Sequence, residues 1–235
     1  MKKIYLVRHG QANSLGANYD MLTELGHKQA TLLGEYFVRM KVEFDFIGSG
    51  SLNRQIQTLE GIINPLIKDG YQIPSSQIIE ELNEFDSGLW LNIANAIRKE
   101  DNEFAKTLDR YKILQAGGRP SSRDIFYKLI QRVLLEWVEG KHSEPYSFVD
   151  YKSRVTKTLQ KIPTNARSIL LTTSSTPVAI LSGLSLGLSQ KEFLPLMKFI
   201  SNTSLNIFHW EKGSISPITL NSYPHIQDSN QLTLL

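Results

Sequence analysis

Two arginines and a histidine follow short apolar or polar stretches of the chain, and their side chains could bind and attack a phosphoryl group. Arg8 and His9 come directly after the apolar residues 4–7, and Arg54 comes soon after the polar residues 48–51. A guanidinium group matches the geometry of phosphate oxygens, and an imidazole can act as a nucleophile. The three side chains therefore predict a site for a phosphate dianion, provided that the fold brings them together.

A later polar turn could add hydrogen-bond donors to the same anion. Residues 168–173 predict a strand, and Ser174 and Ser175 follow it at the expected start of a helix, with Pro177 in the first turn. Backbone N–H groups at a helix N-terminus bind anions. Ligands of open α/β sheets lie at the carboxyl ends of the strands, so we expect these turns at one edge of a sheet.

Short apolar runs predict the strands that would carry these turns. Continuous apolar stretches are typical of strands that are buried on both faces of a parallel sheet. The strands are predicted at residues 4–7, 44–47, 78–79, 168–173, 205–210 and 215–220. The last two should form a hairpin around Lys212 and Gly213, and the polar tail from Ser222 is expected to be loose.

Helical patterns lie between the predicted strands. After a polar loop at residues 12–19, Thr23 is the expected N-cap of a helix that runs to residue 40. A second helix should begin at Asn53 and run to about Ile63, because Pro65 ends or kinks a helix. This alternation predicts an α/β fold, a three-layer sandwich with a mostly parallel central sheet.

The alternation is interrupted by a helix-compatible segment at about residues 93–146. The segment contains an amphipathic pattern at residues 126–137 and a break at residues 117–120. One helical hairpin would give a poor core of its own. We therefore expect a single domain over residues 1–235, with this segment as a helical insertion over the C-terminal rim of the sheet.

Composition and charge narrow the function classes. The chain has 235 residues, of which 41% are hydrophobic and 21% charged, and 26 basic against 23 acidic side chains give a net charge of +3. Without a basic stripe, nucleic-acid binding is not expected. The chain has no cysteine, which excludes thiolate zinc sites and cysteine nucleophiles. The apolar residues 4–7 are too few for a signal peptide or a membrane helix, so we expect a cytoplasmic protein without a membrane partner.

Five motifs, in chain order, resemble those of the histidine phosphatase superfamily, which includes the cofactor-dependent phosphoglycerate mutases. The third is close to the family's pattern S-S-P-L-x-R-A-x-Q-T, and the fourth resembles the segment that carries the family's acid. The motifs read LVRHGQA at residues 6–12, LTELGHKQA at 22–30, SGSLNRQIQT at 49–58, LNE at 82–84 and NTS at 202–204. A lone R-H-G would be a weak signal, whereas five matches in order are specific.

The resemblance implies a phosphomonoesterase that works through a phosphohistidine at His9. Arg8 and Arg54 would hold the phosphoryl oxygens as charge develops on them. Glu84 would protonate the leaving oxygen and then deprotonate the attacking water. Asp86 and Glu81 are the alternative acids. The arginines supply the positive charge, so neither a metal ion nor a cofactor is expected.

One departure from the family concerns its second pocket histidine, which usually follows a strand in a pattern like T-H-G-G. Here Thr173 is followed by Ser174, Ser175 and Thr176. We expect Ser174 and Ser175 to contact phosphate, but a serine cannot supply a positive charge. The loss of one transition-state donor typically costs on the order of 10²–10³ in rate.

Three functions therefore stay open. The first is a phosphatase, with an activity reduced by the serine. The second is a phosphate-ligand-binding member of the same fold with weak or no catalysis. The third, a phosphoglycerate mutase, is disfavoured because residues 11–15 read QANSL where the mutases resemble one another in a longer R-H-G-E-S-x-W-N opening.

The expected ligand is a phosphorylated small molecule or a phosphopeptide. In such folds the insertion mostly recognises the group that bears the phosphate, and the sequence leaves that group and the oligomeric state open. His142, at the end of the insertion, would reach the pocket only if the insertion acted as a lid, and we do not expect it to do so.

Overall fold

The computed structural model describes residues 2–13, 20–117 and 121–234. Most of the loop predicted at residues 12–19 and most of the break predicted at 117–120 lie outside the described residues. The chain divides into two compact units, one formed by Met1–Glu84 with Arg154–Leu235 and the other by Phe85–Ser153. The strands and the predicted phosphate-binding residues all belong to the first unit.

A six-stranded mixed sheet forms the centre of the first unit. Its order is β3-β2-β4-β1-β5-β6. The four strands from β3 to β1 pair in parallel, β5 is antiparallel to β1, and β6 is antiparallel to β5. The strands are β1 (Lys2–Arg8), β2 (Phe46–Ser49), β3 (Gln77–Ile78), β4 (Ser168–Thr173), β5 (Leu205–Glu211) and β6 (Ser214–Ser222). The predicted α/β class and the mostly parallel sheet are confirmed, although β2 lies two residues later than expected.

Eight α-helices occur in the part of the chain that the structure describes. Thr23 caps the first one as predicted, because its hydroxyl accepts a hydrogen bond from Gly26 N at 3.0 Å. The helices are α1 (Glu24–Arg39), α2 (Asn53–Lys68), α3 (Ser87–Glu100), α4 (Asn102–Ala116), α5 (Ser122–Val138), α6 (Phe148–Lys161), α7 (Ser175–Ser185) and α8 (Phe193–Phe199).

The prediction that α2 ends or kinks before Pro65 is wrong about the end, since the helix continues to Lys68. A proline inside a helix costs about 3 kcal/mol because it removes a hydrogen bond and crowds the preceding turn. Ile62 and Leu66, one turn apart, are both fully buried in the core. Burial of one such side chain contributes about 1.5–3 kcal/mol, and together these two offset the cost of the proline.

Both faces of the sheet are covered. Tyr5, Val7 and Leu170 pack in one core with side chains of α1 and α2. Ile4 and Leu6 alternate with them along β1, point to the opposite face and are equally buried. Helix α7 contacts β1 and β5. Burial on both faces explains why these strands read as continuous apolar runs.

The hairpin predicted at Lys212 and Gly213 is present. Both residues have a positive φ, 53° and 83°, as a tight turn between β5 and β6 requires. The expectation of a loose tail after Ser222 is wrong. Asn202 N donates to Thr233 O at 2.8 Å, and Gln29 Nε2 donates to Gln231 O at 2.7 Å. Buried amide groups need hydrogen-bond partners, and those of Asn202 and Gln29 find them in the tail. These hydrogen bonds therefore hold the tail in place.

The second unit, Phe85–Ser153, has an aromatic core of its own. Trp137, Phe148 and Tyr151 are almost fully buried there, and Trp137 Nε1 donates to Tyr146 O at 3.1 Å. The amphipathic pattern predicted at residues 126–137 forms part of α5 and buries Leu129 and Val133 against this unit. None of the helices in the described ranges is long and apolar enough to cross a bilayer.

A buried histidine links the turn before β5 to the segment after β6. The Thr203 hydroxyl donates to Asn202 O at 2.8 Å, so His225 Nε2 acts as the donor in its 2.9 Å hydrogen bond to Thr203 Oγ1. His225 Nδ1 then lacks a proton and has no partner among the described residues. Burial, followed by the charge of Arg39, lowers the pKa of His225 from 6.5 to about 4.

We expect His225 to make the folded state sensitive to acid. Its folded pKa lies below the unfolded value, so the unfolded chain binds more protons between pH 6.5 and about 4, and this contribution to stability is lost as the pH falls through that window. The contribution is about 3 kcal/mol. Thermal unfolding at a series of pH values should show a smaller acid loss for His225→Gln, which keeps the donor to Thr203.

His27→Gln is the matched control, because the His27 side chain is exposed on α1. It should follow the wild-type profile. An identical loss of stability in wild type and His225→Gln between pH 6.5 and 4 would contradict the assignment of a neutral buried imidazole at position 225.

Candidate active site

The ends of three parallel strands bring the predicted turns to one rim of the sheet. In the strand register Arg8 lies opposite Thr173, and Ser49 lies opposite Thr172. The next residues along the chain are His9, Gly50 and Ser174. The polar turns predicted from the sequence therefore leave the same edge of the sheet together.

The imidazole of His9 is buried and has a defined tautomer. Its Nδ1 lies 2.8 Å from Gly10 O. A carbonyl oxygen can only accept, so Nδ1 carries the proton and Nε2 keeps the lone pair. Burial, followed by the charges of Arg54 and Arg8, lowers the pKa of His9 well below its usual value. The ring is therefore neutral near pH 7, and Nε2 can act as a nucleophile.

Hydrogen bonds fix the backbone of the turn that carries His9. His9 N donates to Thr173 O at 2.8 Å, and Asn202 Nδ2 donates to His9 O at 3.0 Å. Gly10 N donates to Thr58 Oγ1 at 3.0 Å. A Cβ on Gly10 would lie 2.5 Å from Gly26 O, so only glycine permits this close approach of the turn to α1. Four distant segments, β4, the turn before β5, α2 and α1, thus fix the backbone that carries the imidazole.

Arg8 is held by backbone carbonyls from two other parts of the chain. Its Nη1 donates to Ile200 O and, at 2.6 Å, to Leu234 O. Its own carbonyl accepts from Thr203 N at 3.0 Å, at a turn where Thr203 has a φ of 53°. Only 4% of the residue is exposed. The guanidinium is therefore fixed beside His9 by the segment before β5 and by the tail.

Arg54 lies at the N-terminus of α2, and its charge adds to the effect of burial in lowering the pKa of His9. Asp20 Oδ1 lies 2.6 Å from Arg54 Nη1. The other carboxylate oxygen of Asp20 accepts from Asn53 N at 2.7 Å. Asp20 thus binds both the N-terminus of α2 and the guanidinium of Arg54. Groups of both kinds bind phosphate.

Glu84 is anchored at the N-terminus of α7. Its Oε2 accepts from Thr176 N at 3.1 Å and from Ser175 Oγ at 3.3 Å. Ser175, predicted to contact phosphate, therefore donates to the candidate acid. The alternative acids have other partners: Asp86 caps α3, and Glu81 lies 3.3 Å from Lys161.

Ser174 occupies the N-cap position of α7 without making a side-chain capping bond. Its hydroxyl oxygen instead accepts from Gln55 Nε2 at 2.9 Å. Only 1% of Ser174 is exposed. The carbonyl of its neighbour Thr173 accepts the hydrogen bond from His9 N, which places Ser174 directly after a residue that contacts the backbone of His9.

Several residues of this site carry no clear signal in the sequence. Asp20 and Gln55 sit in polar stretches where many roles are possible, and the tail was expected to be loose. Asn202 belongs to a motif, but the motif assigns no contact with His9. His142 pairs with Glu136 inside the second unit, with Nε2 and Oε2 2.9 Å apart. No group of three or more potential metal ligands occurs among the described His, Asp and Glu side chains.

A curated relative matches part of this chain in sequence. The 2,3-bisphosphoglycerate-dependent phosphoglycerate mutase of Xylella fastidiosa (strain M23) is 34% identical over 86 residues, which cover 34% of this chain and 34% of the mutase. The chain thus matches about a third of the length of such curated relatives.

Two solved structures share the fold over almost their whole length. Bacillus stearothermophilus YhfR superposes with a TM-score of 0.67 at 18% identity, covering 96% of this chain and 99% of that one. A phosphoserine phosphatase mutant from Entamoeba histolytica, in complex with phosphoserine, gives a TM-score of 0.62 at 17% identity, covering 96% and 100%. A family model matches residues 4–145, more than half of the chain. The chain therefore belongs to the histidine phosphatase superfamily (branch 1).

Proposed function

We propose that this protein is a phosphomonoesterase that acts through a phosphohistidine at His9. The observation that carries the proposal is a buried neutral imidazole with Nδ1 bound to Gly10 O. Burial, followed by the charges of Arg54 and Arg8, lowers the pKa of this imidazole. Such an imidazole is a nucleophile beside two groups suited to a phosphoryl dianion. The substrate is a phosphorylated small molecule or a phosphopeptide.

The proposed reaction has two displacements. In the first, His9 Nε2 bonds to phosphorus, the P–O bond to the leaving group breaks, and Glu84 gives its proton to the leaving oxygen. In the second, Glu84 takes a proton from water as the water oxygen attacks phosphorus. The N–P bond breaks, inorganic phosphate leaves, and His9 is neutral again.

The other residues would stabilise charge and hold geometry. Arg8 and Arg54 bind the equatorial phosphoryl oxygens, where charge develops. The Gly10 carbonyl stabilises the positive charge that Nδ1–H acquires when Nε2 becomes phosphorylated. Ser174 donates to a phosphoryl oxygen through its hydroxyl, and Ser175 holds Glu84.

A phosphate-ligand-binding protein with little turnover is the second candidate function. It is favoured by Ser174, which supplies no positive charge, and by Asp20, whose carboxylate already neutralises Arg54. Binding of inorganic phosphate without any labelled phosphohistidine after incubation with a ³²P-labelled phosphomonoester would favour it. Interconversion of phosphoglycerates, assayed in parallel, would favour the mutase instead.

We expect His9→Ala to lower kcat/KM for p-nitrophenyl phosphate by at least about 1,000-fold, because the variant has no nucleophile. Denatured wild type should carry acid-labile label from a ³²P-labelled substrate, and the variant should carry none. His27→Ala, at an exposed position of α1, is the control and should match the wild type. Equal hydrolysis by wild type and His9→Ala would refute the proposal.

The ionisation state of His9 can be measured directly. Since burial and two guanidinium charges lower its pKa, the ring should stay neutral, with the proton on Nδ1, as the pH falls from 8 to below 6.5. ¹⁵N chemical shifts of the imidazole, assigned by comparison with His9→Ala, report both the charge and the tautomer. Protonation with a midpoint at or above pH 6.5 would contradict the electrostatics described for the site.

Asp20→Asn should bind inorganic phosphate about 10-fold more tightly. The substitution removes a negative charge beside Arg54, keeps an oxygen to accept from Asn53 N, and leaves the guanidinium to the dianion. At an effective dielectric constant near 20 a unit charge at contact distances is worth a few kcal/mol, and partial exposure of Asp20 screens part of this.

Titration calorimetry at fixed ionic strength measures this effect. Glu211→Gln, an exposed change at the end of β5, has the same change in net charge and should bind phosphate like the wild type. Weaker binding by Asp20→Asn would mean that Asp20 holds Arg54 in place and does not compete with phosphate.

A further inference from the structure

Gln55 is a fully buried amide in the first turn of α2, beside two residues of the proposed mechanism. It follows Arg54 in the chain, and its Nε2 lies 2.9 Å from Ser174 Oγ. A buried amide without partners costs about 1–3 kcal/mol, so its hydrogen-bond pattern is strongly constrained. Gln55 also stands where the family's pattern S-S-P-L-x-R-A-x-Q-T has alanine.

The direction of the Gln55–Ser174 hydrogen bond follows from the other contacts of the amide. The same nitrogen lies 3.1 Å from Leu82 O, which can only accept, so this atom is the NH₂ group. The amide oxygen faces Leu52 N at 3.4 Å, which can only donate. Both hydrogens of Nε2 are thus used, one for Leu82 O and one for Ser174 Oγ.

Ser174 Oγ is therefore the acceptor in this pair, and its own hydrogen is not used there. Ser174 makes no side-chain capping bond to α7 either. A hydroxyl that accepts from an amide is polarised and becomes a better donor. Ser174 follows Thr173, whose carbonyl accepts a hydrogen bond from His9 N. The Ser174 hydroxyl therefore belongs to the turn at the end of β4, next to the proposed nucleophile.

The Gln55 amide also reaches the segment that leads to Glu84. Leu82 O accepts from Gln55 Nε2 and, at 2.6 Å, from Thr173 Oγ1. Glu84 lies two residues further along the chain. One amide group thus connects the start of α2, the end of β4 and the approach to the candidate acid.

We propose that Gln55 is a positioning residue, which orients the Ser174 hydroxyl as a donor to the phosphoryl group. This inference rests on the proposed function of the site. Gln55 touches no reacting atom and acts through Ser174. The amide and the serine together occupy the place of the family's second histidine, supplying a directed neutral donor without a positive charge.

A double-mutant cycle tests whether Gln55 acts through Ser174. The variants are Gln55→Met, Ser174→Ala and the double variant, and the readouts are kcat/KM for p-nitrophenyl phosphate, the Kd of inorganic phosphate, and the Tm. We expect each single variant to lower kcat/KM by about 10- to 100-fold. The double variant should lie within about twofold of Ser174→Ala, because Gln55 has nothing left to orient.

Gln57→Met is the matched control on the same helix, because its amide oxygen accepts from Leu22 N and its amide nitrogen lies 3.5 Å from Met21 Sδ. Its effect on kcat/KM should be the same with Ser174 or with alanine at that position. Effects of Gln55→Met that multiply with those of Ser174→Ala would overturn the inference, since they would show a structural role only.

A second pair of variants decides the question if Gln55→Met does not fold. Ser174→His alone should be poorly active or unstable, because the Gln55 amide fills the adjacent space. Ser174→His combined with Gln55→Ala should recover activity at least 10-fold over Ser174→His. A single Ser174→His variant as active as the pair would overturn the inference.

Failure of the inference is distinct from failure of the proposed function. If the wild type hydrolyses no phosphomonoester, the proposed function fails. The double-mutant cycle is then evaluated from the Kd of inorganic phosphate. Coupling between Gln55 and Ser174 in that Kd would support the positioning role, and independent effects would refute it. If the wild type is active, kcat/KM decides.

Discussion

The hydrogen bond between His9 Nδ1 and the Gly10 carbonyl is the interaction on which the proposed chemistry of the site depends. It selects the tautomer whose Nε2 has a lone pair, and the burial of the ring keeps that nitrogen unprotonated near neutrality. Its geometry requires a turn that passes within van der Waals distance of α1, which only glycine at position 10 allows. The backbone of β1, β4 and the turn before β5 is arranged around this requirement.

The positive charge of the site is partly neutralised without a ligand. Two guanidinium groups, Arg8 and Arg54, are accompanied by the carboxylate of Asp20, and the imidazole is neutral, whereas Glu84 carries a proton at the start of the proposed reaction. Ser174 is neutral and adds no positive charge to the site. Such a site would bind a dianion less strongly than one with a cationic side chain at position 174 as well, but it would also release inorganic phosphate more readily.

The local parts of the fold could be predicted from the sequence, because they depend on neighbouring residues. The apolar run of β4, the Thr23 cap and the hairpin turn at Lys212 were found this way. The pairings of Gln55 with Ser174 and of Arg8 with the tail join residues more than 100 positions apart. Such contacts leave no periodicity, so Asp20 and Gln55 gave no signal and the tail was misjudged.

The carbonyl of Leu234 that holds Arg8 belongs to a segment outside the sheet, and this has a consequence for local opening. Segments outside a sheet open at a much lower free energy than a central strand separates. Each detachment would leave the guanidinium with fewer anchors while β1 stays paired on both sides. The orientation of Arg8 therefore depends on local opening of this segment as well as on global unfolding.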